Sequence, residues 1–360
     1  MTLKTTIISA AIVTTLNLTG CYQSQINQDV TLVEVSQPSI TEIAFGSCTN
    51  EDAPQPLWKI ISATQPQLFL YLGDNVYADS TGKVRHPVAT EASFSDSYQK
   101  LANNPDFAAF RQQVPIFAGW DDHDSGMNDG GRDNPVLPMA KRFWLDFFKI
   151  PKNSPVRTRL GIYDSRIIGK EGQRVQIIML DTRSFRSALT KAKPGNKEGY
   201  QRFSPSTDDH QDMLGQAQWK WLEEQLQKPA ELRIIASSIQ VIAKDHGYER
   251  WGNLPTEQQR FYSLLKTTKA KGIVLISGDR HSGGIYKRDD ILPYPLVEVT
   301  SSSINRPINN PDYEMGTYQK GEMVIKPNFG SISIDWENKM VKIRLSTEEE
   351  KAVREIVVEF

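Results

Sequence analysis

Three short acidic clusters, each directly after an apolar stretch, carry the residue types best suited to chemistry in this sequence. They occupy residues 73–77, 120–124 and 278–281. Carboxylates and imidazoles cost free energy to remove from water unless they are paired or bind a metal, and the strand ends of an α/β sheet can bring such groups together from distant parts of the chain. The three clusters therefore predict one site for a multivalent cation.

The first cluster places Asp74 where an apolar strand, 67–72, is predicted to end. An aspartate in that position can bridge two cations, and Tyr77 follows closely enough to return its phenol to the same site. Because free tyrosine titrates at about pH 10, a bound phenolate at neutral pH requires a strong Lewis acid. The alternative is a strand that ends in a turn capped by Asp74.

The second cluster, residues 121–124, contains three aspartates and His123. The acids repel one another, so without a cation or strong hydrogen-bond donors one of them must hold a proton. An EF-hand is excluded, because the glycine that its loop requires falls on Met127 or Asp129. His123 beside metal-bound acids is a candidate proton donor, and the alternative is an exposed histidine in a turn.

The third cluster is the strongest single motif, because Asp279 and His281 lie two residues apart beyond an apolar strand. Alternate side chains of an extended segment share a face, so these two could chelate one ion while Arg280 points elsewhere. The alternative is a capped loop. A further strand end carries Asp181 and Arg183, and the arginine either clamps a phosphate or pairs with the aspartate.

The two cysteines, Cys21 and Cys48, have different expected roles. Residues 5–18 form a weakly apolar stretch, and residues 18–21 read Leu-Thr-Gly-Cys. This ending resembles a bacterial lipobox, which implies that residues 1–20 are a signal peptide and that Cys21 carries a lipid. A transmembrane anchor is disfavoured, because the apolar stretch is shorter than the roughly 20 residues that span a bilayer. Cys48 then lacks a disulfide partner. At the end of a predicted strand, 41–46, it is favoured as a metal ligand over a buried small residue.

Residues 21–39 are polar and are predicted to form a tether between lipid and domain. We expect an exported, lipid-anchored protein at the periplasmic face or cell surface, with the outer membrane favoured because Tyr22 follows Cys21. The formal net charge of −1 and the dispersed lysines and arginines leave no basic surface for nucleic acid. A nucleic-acid scaffold is therefore disfavoured, while a small phosphate-bearing substrate remains open.

The elements that must position these residues alternate between strand and helix patterns over 41–120 and 174–278. Apolar spacing predicts helices after Gly215 and after Pro255, and residues 330–345 are expected to form a hairpin that closes a sheet. The predicted strands lie near 41–46, 67–72, 115–119, 160–168, 174–180, 233–238, 272–277, 295–300, 331–336 and 340–346.

Taken in order along the chain, these motifs resemble the alkaline phosphatase D (PhoD-like) family of the metallophosphatase superfamily. The resemblance runs from about residue 40 to about residue 345 and includes the segments 128–129, 213–223, 251–253 and 300–302. It implies a four-layer α/β/β/α sandwich with ligands on loops at one rim. We place this domain at residues 40–347, followed by a C-terminal segment, 348–360.

The resemblance also implies a metal pair, ferric iron together with calcium or another divalent cation. The positions implied for the ferric ion are Cys48, Asp74, Tyr77 and His281, with Asp74 bridging. Those implied for the second cation are Asp122 and Asn128. Asp279 replaces the first histidine of the superfamily's usual Gly-His-x-His motif, which favours a harder second metal. The resemblance assigns no role to Asp121 or Asp124.

These observations support the hypothesis of metal-assisted phosphoester hydrolysis, by a phosphomonoesterase or a phosphodiesterase. Two cations would activate a water for in-line attack, His123 would protonate the leaving alkoxide, and Arg183 or Arg280 would hold a non-bridging oxygen. Two other classes stay open at this point. One is a lipid-tethered metal-binding surface module without catalysis, and the other is a thiol enzyme built on Cys48.

Overall fold

The computed structural model describes residues 39–81, 84–193, 202–308 and 316–360. The predicted signal peptide, Cys21 and all but the last residue of the predicted tether lie outside these ranges. Among the described residues, no helix combines the length and the apolar character needed to cross a membrane.

Two six-stranded sheets form the centre of the described residues. In chain order the strands are β1 (Glu42–Gly46), β2 (Leu68–Tyr71), β3 (Ser80–Thr81), β4 (Val84–Arg85), β5 (Ile116–Ala118), β6 (Asp164–Ile168), β7 (Val175–Met179), β8 (Leu232–Ser237), β9 (Ile273–Ser277), β10 (Gly283–Arg288), β11 (Leu296–Ser301), β12 (Asn328–Asp335), β13 (Met340–Thr347) and β14 (Arg354–Glu359). Strands β3 and β4 form a separate short hairpin.

The first sheet has the order β14-β13-β12-β1-β2-β5, and the second has the order β10-β11-β9-β8-β7-β6. Strands β1, β2 and β5 are parallel, as are β7, β8, β9 and β11. Every residue of β7, β8 and β9 is buried, as expected for parallel strands that are covered on both faces. Antiparallel strands complete both sheets at their edges.

Helices cover the outer faces of both sheets. In chain order they are α1 (Leu57–Ala63), α2 (Glu91–Asn103), α3 (Pro105–Gln113), α4 (Asp122–Ser125), α5 (Leu137–Phe147), α6 (Gly215–Leu226) and α7 (Pro255–Thr268), with 3-10 turns at Pro155–Arg157 and Trp251–Asn253. The two helices expected after Gly215 and Pro255 are confirmed as α6 and α7. A proline at the first position of α7 costs no hydrogen bond there, which explains why the helix begins at Pro255.

Three apolar layers hold the two sheets and the helices together. The inner faces of the two sheets pack on each other through side chains such as Phe45, Leu70 and Ile234. Helices α1, α2, α3 and α5 cover the outer face of the first sheet, and α6 and α7 cover that of the second. The layer order is helices, sheet, sheet and helices, so the predicted α/β/β/α sandwich is confirmed.

The carboxyl ends of the parallel strands point to one rim of this sandwich. The loops after β1, β2 and β5 carry Cys48, Asp74 and the second cluster, and the loop after β9 carries the third cluster. We call this end of the molecule the catalytic rim. The topology therefore brings together segments that are more than 200 residues apart in the sequence.

Four strands were missing from the prediction, the short hairpin of β3 and β4 and one strand in each six-stranded sheet. Strand β10 begins at a pair of glycines directly after the third cluster, and β14 lies in the segment 348–360, which the prediction set apart from the domain. In the structure β14 pairs with β13 along the edge of the first sheet. The expected hairpin is present as β12 and β13, and Lys339 adopts a positive φ of 54° in its turn.

Candidate active site

Several residues of the catalytic rim adopt a left-handed backbone conformation that residues other than glycine rarely adopt. They are Cys48, Asp74, Asp129, Asp279 and His281, with φ between 47° and 66°. Such conformations carry strain and persist where the surrounding structure determines them, which is common at functional sites. The backbone is therefore bent at the very residues whose side chains could bind a metal.

Gly73 allows the first two clusters to approach each other. Its φ is +118°, and a Cβ atom on it would lie 2.6 Å from the Cβ atom of Asp121, so the position excludes other residues. The contact is fixed by the Asp124 carboxylate, which accepts backbone N–H groups of Asn75 at 2.7 Å and of Asp121 at 2.8 Å. Asp124, unassigned from the sequence, thus ties the two loops together.

The first group of potential ligands contains a thiol, a carboxylate, an imidazole and a phenol. Ligand atoms of Cys48, Asp74 and His281 all lie within 4.8 Å of one another. The Tyr77 hydroxyl donates to Asp74 Oδ2 at 2.9 Å, and the Cys48 thiol lies 3.4 Å from the same oxygen. The four residues that the resemblance implied for ferric iron are therefore gathered around one point.

The second group consists of carboxylates only. Oxygen atoms of Asp74, Asp121, Asp122 and Asp279 lie within 4.8 Å of one another. Asp74 belongs to both groups, which is the position that a bridging ligand would occupy. Oxygen donors alone suit a hard cation such as calcium.

The electrostatics of these carboxylates fit bound cations. Burial, reinforced by negative neighbours, raises the pKa of Asp74 and of Asp279 well above the usual range. Among the described residues, Asp74 Oδ1 and Asp121 Oδ2 are buried without a hydrogen-bond partner. Since buried polar groups in proteins are nearly always satisfied, such oxygens fit direct coordination to a metal.

The imidazole of His281 is held in the tautomer that a metal ligand needs. Its Nδ1 atom donates to the carbonyl oxygen of Arg306 at 2.6 Å, which leaves Nε2 with a free lone pair. Burial and the nearby Arg306 guanidinium lower the pKa of His281 to about 3. A neutral imidazole oriented by a backbone carbonyl is a typical arrangement for coordination.

The surroundings of His123 shift its pKa in the opposite direction. Burial disfavours its charged form, but the carboxylates of Asp122 and Asp79 outweigh that effect and raise its pKa. The Nδ1 atom lies 2.5 Å from Asp79 Oδ1, and the other ring nitrogen, Nε2, lies 3.5 Å from Arg85 Nη2. His123 can therefore present a proton while Asp79 holds its ring.

These groups open into a pocket of about 160 Å³, large enough for a phosphoryl group. Besides the acids and histidines, three arginines line it, Arg85, Arg202 and Arg280. The Arg280 guanidinium stacks 4.6 Å from the ring centroid of Tyr248, a contact that fixes the orientation of its planar donors. The pocket thus combines potential cation ligands with guanidinium groups suited to anionic oxygens.

A family model, PhoD-like phosphatase, matches residues 43–350 of this sequence. The chain belongs to the PhoD-like phosphatase family. It is therefore a phosphoric ester hydrolase of a metal-dependent family, as the resemblance implied.

Two solved structures resemble the phosphatase in fold. One, described as the structure of PhoD, has a TM-score of 0.70 at 16% identity and covers 90% of this chain and 70% of its own. The other is described as GAP50, the anchor in the inner membrane complex of Plasmodium. It has a TM-score of 0.54 at 11% identity and covers 89% of each chain. A comparison with curated proteins gives no match.

Arg183 does not occupy the position that the sequence suggested for a substrate contact. Its guanidinium is completely buried behind the carboxylates, 2.6 Å from Asp121 Oδ1 and 2.8 Å from Glu249 Oε2. It does not line the pocket of the phosphatase. Its neighbours are acids that would otherwise be buried without compensation, so Arg183 neutralises the protein's own charge rather than that of a substrate.

Asn128 lies at the pocket but outside the carboxylate group. Its side-chain amide donates to Asp129 Oδ2 at 2.7 Å, and its carbonyl oxygen accepts a hydrogen bond from Arg85. The oxygen that would bind a cation is therefore engaged with an arginine. Asp122, in contrast, lies in the carboxylate group, and it also approaches Asp129 and Glu249 within 4.8 Å.

Sequence reasoning missed several residues of the site. Asp79 and Glu249 come from irregular segments, and nothing in their neighbours distinguishes them from other loop acids. Arg306 and Ser302 also contribute, because Ser302 Oγ accepts the His281 N–H at 2.8 Å. Only Ser302 had a signal in the sequence, since it lies in the segment 300–302 that supports the family resemblance.

Replacement of Arg183 should destabilise the phosphatase strongly. In Arg183→Gln, Asp121 and Glu249 would be left as buried charges with one partner fewer, a change that typically costs about 3–5 kcal/mol. The matched control is Arg142→Gln, which breaks an exposed pair with Glu91 and should cost at most about 1 kcal/mol. Urea denaturation would measure both. Equal losses would contradict the assigned role of Arg183.

The metal-free phosphatase should lose stability as the pH rises. Burial raises the pKa of Asp124 and of Asp129 to about 7, against about 3.9 for an unfolded aspartate. Between those values the folded chain keeps protons that the unfolded chain has released, so stability falls with increasing pH. The free energy of unfolding should therefore fall by roughly 1 kcal/mol per pH unit and per group from about pH 5 to about pH 7, and it should level off above about pH 8.

Urea titrations of chelator-treated protein would measure this slope. Addition of iron and a divalent cation should flatten it, because bound cations replace the protons. A metal-free protein whose stability increases over the same pH range would contradict the electrostatic description of the site.

Proposed function

We propose that this phosphatase hydrolyses phosphoesters with two cations, ferric iron in the first ligand group and calcium or another divalent ion in the second. The observation that carries the proposal is the position of Asp74, whose carboxylate belongs to both groups. A carboxylate between two sets of ligands is suited to bridging two ions. The family supplies the reaction class, and the geometry of the site supports the metal pair.

The composition of the first group favours iron in its ferric state. Burial raises the pKa of the Cys48 thiol to about 11 and that of the Tyr77 phenol well above its usual value. Neither side chain would lose its proton at neutral pH without a strong Lewis acid close by. Carboxylates alone make up the second group, which suits a harder and less acidic cation.

When bound, two such cations would lower the pKa of a water molecule and neutralise charge on the phosphoryl oxygens. The chain itself contributes the remaining functions. His123 presents a proton at Nε2 to the leaving alkoxide, and Asp79 keeps its ring in place through Nδ1. Arg280 faces the pocket and is suited to bind a non-bridging oxygen in a bidentate manner.

The two alternative classes are less well supported. A thiol enzyme requires an accessible thiolate, whereas Cys48 is completely buried and burial raises its pKa. For a metal-binding surface module without catalysis, the support is a likeness in fold to one protein that is described as an anchor. A shared fold does not by itself imply a shared function. The open pocket beside the ligand groups, with His123 and Arg280 on its wall, favours catalysis.

For the location of the enzyme we propose export and anchoring through a lipid on Cys21. Support comes from the lipobox-like ending of residues 18–21 and from the polar segment that separates it from the first strand. Labelled palmitate should enter the wild-type chain and not the Cys21→Ser variant. Equal labelling of both chains would exclude this anchor.

Loss of His123 should affect substrates according to their leaving group. An alkyl phosphate needs a proton on its departing oxygen, so His123→Asn should lower kcat on it by about 10²–10⁴-fold. A p-nitrophenyl ester departs as a stable phenolate and should lose much less. Steady-state kinetics on both esters would measure the difference, with the exposed His210→Asn as control. Equal losses on both esters would remove His123 from the role of proton donor.

The purified protein should contain iron and show a visible absorption band from a tyrosine bound to the ferric ion. Tyr77→Phe should remove the band, while the control Tyr98→Phe should keep it. Tyr98 is also buried, and its hydroxyl has no hydrogen-bond partner among the described residues. An iron-loaded but colourless wild-type protein would exclude Tyr77 as a ligand.

Asp74→Asn should reduce hydrolysis at least about a hundredfold, because both ligand groups lose a member.

A further inference from the structure

A cavity of about 1030 Å³ lies far from the catalytic rim. It is formed by the carboxyl end of α7, the segment before β11 and the last residues of β14. Strand β9 relates the two sites, because the residue before it, Gly272, lines the cavity and the residues after it carry Asp279. The cavity therefore lies at the opposite rim of the sandwich, which we call the basal rim.

The walls of this cavity are mostly apolar. Side chains from both sheets and from α7 contribute, and Val357 of β14 is 44% exposed. A mostly apolar cavity of this volume on a protein surface commonly marks a binding site. The apolar lining includes Leu265, Leu292, Val297, Ile356, Val358 and Phe360.

Lysines surround the apolar walls. Lys266, Lys269 and Lys271 are exposed, and within the described part of the chain none of them forms an ion pair. Lys287 also lines the cavity and pairs with Asp289 at 3.0 Å. A single acidic side chain, Glu359, lines the cavity within the described ranges. A ligand with an anionic head and an apolar body would match both the charge and the lining.

The described chain also begins at the basal rim. The carbonyl oxygen of Ile40 accepts a hydrogen bond from Trp336 Nε1 at 2.9 Å, and the Trp336 ring lies 5.5 Å from that of Phe360, which lines the cavity. Cys21 is 19 residues before Ile40, and a polar tether of that length, as the sequence predicts, would span about 25 Å on average. The basal rim is therefore the end of the described domain to which a lipid on Cys21 would be joined.

We propose that the cavity of the basal rim binds an anionic phospholipid of the membrane surface. The lysines contact the headgroup phosphate, and the apolar walls accept the adjoining part of the acyl chains. This contact adds a second attachment to the predicted lipid anchor and would fix which rim faces the bilayer. It does not depend on the proposed metals or on the hydrolytic mechanism.

The test is binding of the protein to vesicles. The Cys21→Ser variant, expressed without residues 1–20, is used throughout, so that neither an acyl group nor the predicted signal peptide contributes. It should sediment with phosphatidylcholine vesicles that contain about 30% phosphatidylglycerol and much less with pure phosphatidylcholine, and salt should weaken the binding. Adding K266E, K269E and K271E should lower the apparent affinity at least about tenfold, since each lysine near an anionic surface contributes about 1 kcal/mol.

A matched control carries the same change in charge elsewhere, as K152E, K220E and K351E, which are exposed and do not line the cavity. This control should bind almost as well as the parent. Both triple variants should hydrolyse a soluble phosphoester at the parental rate, which shows that they are folded. Equal losses of binding in the two triple variants, or equal binding to neutral and anionic vesicles, would overturn the proposal. So would a self-association of the parent that the cavity substitutions abolish while vesicle binding stays unchanged.

Discussion

The structure depends on the compensation of negative charge that is buried at the catalytic rim. Asp74, Asp121, Asp122, Asp279 and Glu249 are brought together in a region from which water is largely excluded. Moving even one carboxylate into such surroundings costs several kcal/mol unless opposite charge accompanies it. The protein supplies part of that charge. Under the proposed function, bound cations would supply the rest, and folding and metal binding would be coupled.

The positive charge that the protein itself supplies is distributed unequally between the two sheets. On the side of the second sheet, Arg183 and Arg186 approach Glu249 at 2.8 Å, and Arg183 also holds Asp121. On the side of the first sheet, the described residues offer Cys48, Asp74 and Tyr77 one nearby cation, Arg306, whose guanidinium lies 3.8 Å from the centre of the Tyr77 ring. Fixed positive charge therefore supports one half of the site, and the proposed metal ions would supply it to the other half.

The parts of the site that follow regular strands could be predicted from the sequence. Cys48, Asp74 and the third cluster each come directly after an apolar run, and in a parallel sheet such positions meet at one rim. The role of Arg183 could not be predicted in the same way. A sequence shows that an arginine follows a strand, but it does not show whether acids from other segments surround its guanidinium. In this structure they do.

Residues from irregular segments were beyond prediction for a different reason. Asp79 reaches His123 only because the chain turns after Tyr77, and Glu249 reaches Arg183 from a long connection without regular structure. Strand β14 was also missed, since it is an exposed edge whose alternating pattern is short and rich in charge. Its position in the sheet becomes evident only once β13 is placed beside it.

The described chain begins at the rim opposite the catalytic pocket, and the proposed lipid anchor would therefore limit where the reaction can take place. Parallel strands of about five residues separate the two rims by roughly 17 Å before the loops at each end are counted. With the basal rim against a bilayer, the pocket would open toward the aqueous compartment. Phosphates embedded in the same leaflet would be out of its reach, and the enzyme would draw on esters that diffuse freely through the surrounding solution.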